Sequence, residues 1–98
     1  MIIVTGHAIT SPGTAERMRP PCVAHSVRSR AEPGCIAHNL HVDCEDASRL
    51  VFVAYWVDIG ALKAHLALPE SLQFVRTLRA LSPATGAMQI CPVTETAP

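Results

Sequence analysis

Charge is scarce in this chain. Asp, Glu, Lys and Arg make up 16% of it, and eight basic residues cancel eight acidic ones to a formal net charge of zero. There is no basic stripe to hold a nucleic-acid backbone and no acidic run to draw a basic partner. The ~20 consecutive apolar residues that span a bilayer are missing as well. The opening MIIVTGHAIT lacks the charged flank and the long apolar stretch of a secretory signal. These absences predict a cytoplasmic protein with no nucleic acid and no membrane among its partners. In that compartment Cys22, Cys35, Cys44 and Cys91 are expected as thiols rather than disulfides. Several catalytic signatures are absent too: no glycine-rich phosphate loop, no G-x-S-x-G elbow, no H-E-x-x-H, and no pair of carboxylates on one face.

Apolar residues, by contrast, make up 49% of the 98 positions. That is enough for one modest core. It leaves apolar surface to spare, which in a small domain often ends in a subunit interface. No repeat or linker divides the chain. A single domain over residues 1–93 is expected, followed by a polar tail, 94–98, expected to be disordered.

Residues 2–9, IIVTGHAI, read as a strand closed by Ser11-Pro12-Gly13. Residues 14–32 carry Ala15, Met18, Cys22, His25 or Ser26, and Ser29 at helical spacing. Pro20 and Pro21 lie inside this helix and predict a kink or restart there, since an interior proline costs ~3 kcal/mol. Residues 35–42 alternate like a strand, and 43–48 form a polar turn. Residues 49–57, RLVFVAYWV, form an almost continuous apolar run, the mark of a strand covered on both faces. Asp58 is placed to cap a helix over 59–68 with Ile59, Leu62 and Leu66 inward. Pro69 opens a second helix, 69–81, with Phe74, Val75, Leu78 and Leu81 inward, and Ser82-Pro83 ends it. Residues 87–93 read as the last strand. The order matches the split βαβ pattern of a ferredoxin-like α+β fold, a four-stranded antiparallel sheet with helices on one face. In so short a chain a second copy is the simplest cover for the other face, hence a dimer.

The stretch CIAHNLHVDC, residues 35–44, spaces Cys35, His38, His41 and Cys44 every third residue, and all four types bind zinc. A strand sends Cys35 and His41 to one face and His38 and Cys44 to the other; a helix spreads the four over half its circumference. Neither gathers them round one ion, so no metal is expected. His38 alone, beside Ile36 and Leu40, is either a hydrogen-bonded core residue or a pocket residue. His65 follows Leu62 on the apolar side of its helix and is either packed at the core edge or suited to proton transfer. Trp56 is core, or a wall for a flat ligand. Arg76 and Arg79 sit one turn apart: either a solvated face, or, for Arg76, a cation bordering a cavity.

The segments SRAEPGCIAH and RLVFVAYWVDIGALKAHLALPESLQFV resemble the antibiotic biosynthesis monooxygenase family. The carriers are E-P-G-C, Glu32 to Cys35, and W-x-D-x-x-A-L-x-x-H, Trp56 to His65. The resemblance spans residues 2 to about 92 and implies a dimeric α/β barrel of ferredoxin-like protomers. It also implies an oxidation of phenols, quinols or polyketide-type aromatics by dioxygen without metal or flavin. Trp56 and Arg76 match a tryptophan and a helical arginine of the polyketide oxygenases, while Phe52 and Leu62 stand where those enzymes have asparagine and tyrosine. Gly6, His65 and Val75 stand at the asparagine, tryptophan and histidine positions of the haem-degrading members, which argues against haem degradation. Many relatives carry glutamate two residues before the tryptophan; here it is Ala54. The expected site therefore has His65 or His38 taking a phenolic proton and Arg76 holding the oxyanion. Trp56, Phe52 and Leu62 bind the ring. A binding module that has lost the chemistry, or a cyclase or isomerase using only the base and Arg76, are the alternatives.

Overall fold

The computed structural model of the chain describes residues 1–96. The elements follow as β1 (Ile2–Ile9), α1 (Ala15–Arg30), β2 (Cys35–Val42), β3 (Arg49–Trp56), α2 (Ile59–Ala67), α3 (Pro69–Leu81), β4 (Ala84–Thr85) and β5 (Gln89–Pro92). All pairings are antiparallel, in the order β2-β3-β1-β4, with β5 also on β1. This is the expected ferredoxin-like α+β fold with one difference. The last strand is broken in two: β4 pairs with Ala8 and Ile9, and β5 with Ile2 to Thr5. The intervening chain runs close to His7, whose carbonyl accepts from the Gly86 N–H. The expected disordered tail falls on 94–98, of which residues 97 and 98 lie outside the described residues.

Strand alternation sorts the sheet. Ile2, Val4 and Ala8 of β1 and Leu50, Ala54 and Trp56 of β3 are buried. They pack under Leu62 and Leu66 of α2, Met18 and Cys22 of α1, and Phe74, Leu78 and Leu81 of α3. The intervening Val51, Val53 and Tyr55 are only half-buried. One inward assignment fails, since Ile59 is exposed; Val75 is exposed as well but borders a cavity.

Of the expected kink or restart at Pro20, the restart is absent: α1 runs as one helix through both prolines. The reason is the side on which they fall. Glu16 and Arg17, four residues earlier, are exposed, so carbonyls that lose a helical donor can turn to water. The inward face keeps Met18, Cys22, His25, Ser26 and Ser29 buried. The Asp58 cap forms as expected, its carboxylate accepting from the Ala61 N–H at 2.8 Å.

One close approach positions the site. Gly34, the sole positive-φ residue among those described (φ 82°), lets the turn after α1 lie against α2. A Cβ there would stand 2.5 Å from Ala61 Cβ and 2.9 Å from Val57 Cγ2. The Gly34 carbonyl accepts from the Val57 N–H at 2.9 Å. The E-P-G-C segment is thus a tight junction between α1, β2 and α2.

Candidate functional site

Ala61 and His65 are one helical turn apart on the same side of α2. Because the chain touches α2 at Gly34, Glu32 is delivered to His65. Its Oε1 accepts from His65 Nδ1 at 2.7 Å. The other carboxylate oxygen, Oε2, is buried without a partner among the described residues. His65 is 5% exposed. Its ring lies 4.6 Å from the Trp56 ring, centroid to centroid. A carboxylate can only accept, so the neutral ring carries its proton on Nδ1 and presents a lone pair at Nε2. This is the carboxylate–histidine arrangement that orients a general base.

Two further histidines join it. His25 of α1 and His38 of β2 are buried, with ring centroids 5.2 Å and 5.7 Å from that of His65. His38 Nδ1 pairs with the Ser26 hydroxyl at 2.9 Å. His25 Nδ1 receives a hydrogen bond from the Arg28 guanidinium at 2.7 Å, and its ring stacks on Phe74 at 4.0 Å with an interplanar angle of 2°. Burial, helped by the neighbouring cationic groups, pushes His25 down to about 3 and His38 down to about 4. Both are therefore neutral near pH 7. Burial also pushes the Cys22 thiol up to about 11, which makes it a packing residue rather than a nucleophile.

The three histidines border a cavity of about 280 Å³ between the sheet and α2 and α3. Trp56, Phe52, Ala54, Leu62 and Phe74 supply its apolar walls. The structure thus brings together His65, His38, Trp56, Phe52 and Leu62. It does not bring Arg76. That side chain lines a separate groove between α1 and α3, with Gln73, Thr77 and Arg28, and the arginine that borders the cavity is Arg79. The two arginines leave α3 on different flanks, one with Val75 and Leu78, the other with Gln73 and Thr77. In CIAHNLHVDC only His38 reaches the cavity; His41 and Cys44 are exposed.

Sequence reasoning missed Glu32 and His25 as site residues. Glu32 stood in view as part of E-P-G-C, and its distance from His65 depends on the Gly34 junction. His25 was visible only as one inward position of a helix.

One ring nitrogen from each of His25, His38 and His65 lies within 4.8 Å of the others. Three imidazoles so placed are a familiar metal-ligand set. His65 and His38 could each ligate. His25 does not suit that role: Arg28 only donates, so Nδ1 accepts and the ring proton must sit on Nε2, where a metal would bind.

The comparisons agree with this fold. Residues 1–77 match the family described as antibiotic biosynthesis monooxygenase, and the chain belongs to that family. A crystal structure named as an antibiotic biosynthesis monooxygenase is 25% identical, with a TM-score of 0.87, over 97% of this chain and all of that one. PA3566 from Pseudomonas aeruginosa is 28% identical, with a TM-score of 0.79, over 98% of this chain and 94% of its own. A Deinococcus radiodurans protein reaches a TM-score of 0.94 at 24% identity, over 100% and 97% of the two chains, a likeness of fold. No curated protein matches the sequence.

Proposed function

We propose that the protein is a cofactor-independent monooxygenase that oxidises a small phenolic or quinol compound with dioxygen. The observation that carries this reading is the Glu32–His65 pair, 2.7 Å apart, beside a cavity walled by Trp56, Phe52, Leu62 and Phe74. A phenol seated against Trp56 and Phe52 gives its proton to His65 Nε2, and Glu32 stabilises the imidazolium that forms. The phenolate, held away from water, is electron-rich enough to reduce dioxygen itself. For a quinol the balance closes without another reductant: the ring gives four electrons, one oxygen atom enters the ring and the other leaves as water. A cavity of about 280 Å³ compares with the roughly 150 Å³ that holds one benzene, so it suits a one- or two-ring substrate better than a tricyclic one.

The reading includes a homodimer and a cytoplasmic setting. Ile3, Val51, Val53, Tyr55 and Ala37 lie on the sheet face away from the helices, in register across β1, β3 and β2. They are the apolar part of that face, interspersed with Thr5, His7, Asn39 and His41, and in this reading a second copy covers it. Four unpaired cysteines suit a reducing compartment.

The test is oxygen uptake by chelator-treated protein offered a panel of benzene- and naphthalene-type quinols. Uptake above the spontaneous rate that collapses in His65→Ala supports the reading. Binding without turnover would instead indicate a binding module, and conversion without oxygen uptake an isomerase.

A further inference from the structure

We propose that His25 is the cavity's oxyanion donor: its Nε2–H meets the same substrate oxygen that His65 deprotonates, and Arg28 is the positioning residue that fixes this tautomer. The assignment rests on the reading above in one respect, that the oxygen is phenolic.

The argument starts from what each side chain can donate. A guanidinium is always charged and has no acceptor. The 2.7 Å contact between Arg28 Nη2 and His25 Nδ1 therefore makes Nδ1 the acceptor, and a neutral ring must carry its hydrogen on Nε2. A second proton would place an imidazolium against a guanidinium in a buried site, with His38 and His65 nearby, and His25 stays neutral far into the acid range. His65 is locked the other way by Glu32, with hydrogen on Nδ1 and a lone pair on Nε2. Two imidazoles of opposite tautomer, each fixed by a charged partner that cannot reverse its role, thus border one cavity. His38 has no such lock, because the Ser26 hydroxyl can donate or accept.

The spacing fits a single oxygen. One ring nitrogen from each histidine lies within 4.8 Å of the others, and with Nδ1 of His65 and of His25 engaged by Glu32 and Arg28, the nitrogens left to meet a ligand are their Nε2 atoms. Two hydrogen bonds of about 2.8 Å that meet at one atom bridge nitrogens up to about that far apart, at angles up to about 120°. A hydroxyl on an sp² carbon fills the position. It donates to His65 and accepts from His25, and once its proton has moved the His25 bond becomes charge-assisted and stronger. The interaction grows as charge develops, which is the property of a transition-state donor rather than a binding contact. The Phe74 ring, stacked parallel on His25 at 4.0 Å, holds the donor in its plane. His25 thereby takes the role that the resemblance assigns to Arg76.

Two measurements test this, and neither consumes dioxygen. The first uses 4-nitrophenol, whose phenolate is coloured, titrated against pH in the bound state. The wild type is expected to make the bound probe about tenfold more acidic than His25→Ala does, and His25→Gln, which keeps an N–H near the Nε2 position, to recover much of the difference. A His25→Ala protein that ionises the probe as readily as the wild type overturns the proposal. The second is the nitrogen NMR spectrum of the wild type between pH 5 and 8, which decides alone if the probe does not bind. It is expected to show His25 protonated at Nε2 only, and Arg28→Met is expected to mix the tautomers of His25 while leaving His65 unchanged. A hydrogen on His25 Nδ1, or stoichiometric zinc uptake that removes the Nε2 hydrogen, contradicts the assignment. If the probe is acidified through His25 but no quinol consumes oxygen, the oxygenase reading fails and the donor stands; the reverse pattern removes the donor alone.

Discussion

Glu32 shows how far a single carboxylate can matter in a site with little charge. Replacing it by glutamine keeps the shape, turns the acceptor into an amide that can offer His65 either end, and no longer stabilises an imidazolium. Glu32→Gln is expected to lower kcat/KM for quinol oxidation at pH 7, though by less than His65→Ala, for which loss of a general base costs roughly 10²–10⁴. Arg76→Ala is expected to cost far less than either, because its side chain lies in the outer groove. Steady-state oxygen uptake on the three variants orders them, and an Arg76 effect equal to that of His65 would return that arginine to the cavity. The residue scale is also where the sequence was hardest to read. His65, Trp56 and Phe52 could be placed because strand and helix periods point them inward. The choice between Arg76 and Arg79 could not, since positions three apart on a helix differ by only about 60° in direction. Deciding which flank faces the cavity needs the packing of α1 against α3.

At the scale of elements, the junction at Gly34 carries the most weight. Gly34→Ala forces a Cβ to within 2.5 Å of Ala61 Cβ at a φ of 82°. A strained left-handed residue costs about 1–3 kcal/mol, and relief by backing away from α2 would pull Glu32 off His65. Lower thermal stability together with lost activity is expected, whereas Asp58→Ala, which removes only a cap, is expected to cost about 1 kcal/mol and spare activity. Unfolding curves and oxygen uptake on both variants separate the two effects. Most of the elements were legible: alternation in β1 and β2, the apolar run of β3, and Asp58 and Pro69 at their helix starts each carry a local physical signal. Two features were not. The prolines of α1 look like a break until the sheet shows that their carbonyl partners face water. The split of the last strand into β4 and β5 depends on the chain's passage beside His7, which no local pattern encodes.

For the whole molecule, two neutral histidines in the core set the response to acid. Burial holds His25 at about 3 and His38 at about 4 in the folded state, against ~6.5 unfolded. Between those values the unfolded chain binds more protons than the folded one, so stability is full above about pH 6.5 and falls as pH drops toward 4. The slope is up to about 1.4 kcal/mol per pH unit for each histidine. Melting temperatures between pH 7.5 and 4.5 should fall accordingly, and a flat profile would contradict the buried neutral cluster. The apolar sheet face makes a second prediction at this scale: sedimentation should find a dimer, and a charge at Val53 should shift it toward monomer. The helix-side cavity could not be read from RLVFVAYWV, because its lining comes from β1, β2, β3 and all three helices at once.

The most direct test of the central claim follows the oxygen atoms. Chelator-treated protein is supplied with a quinol it oxidises under ¹⁸O₂, and the product is weighed. One labelled oxygen per product molecule, formed with consumption of one dioxygen and lost in His65→Ala, is the predicted result. A product without label, or turnover that persists without dioxygen, would contradict the account.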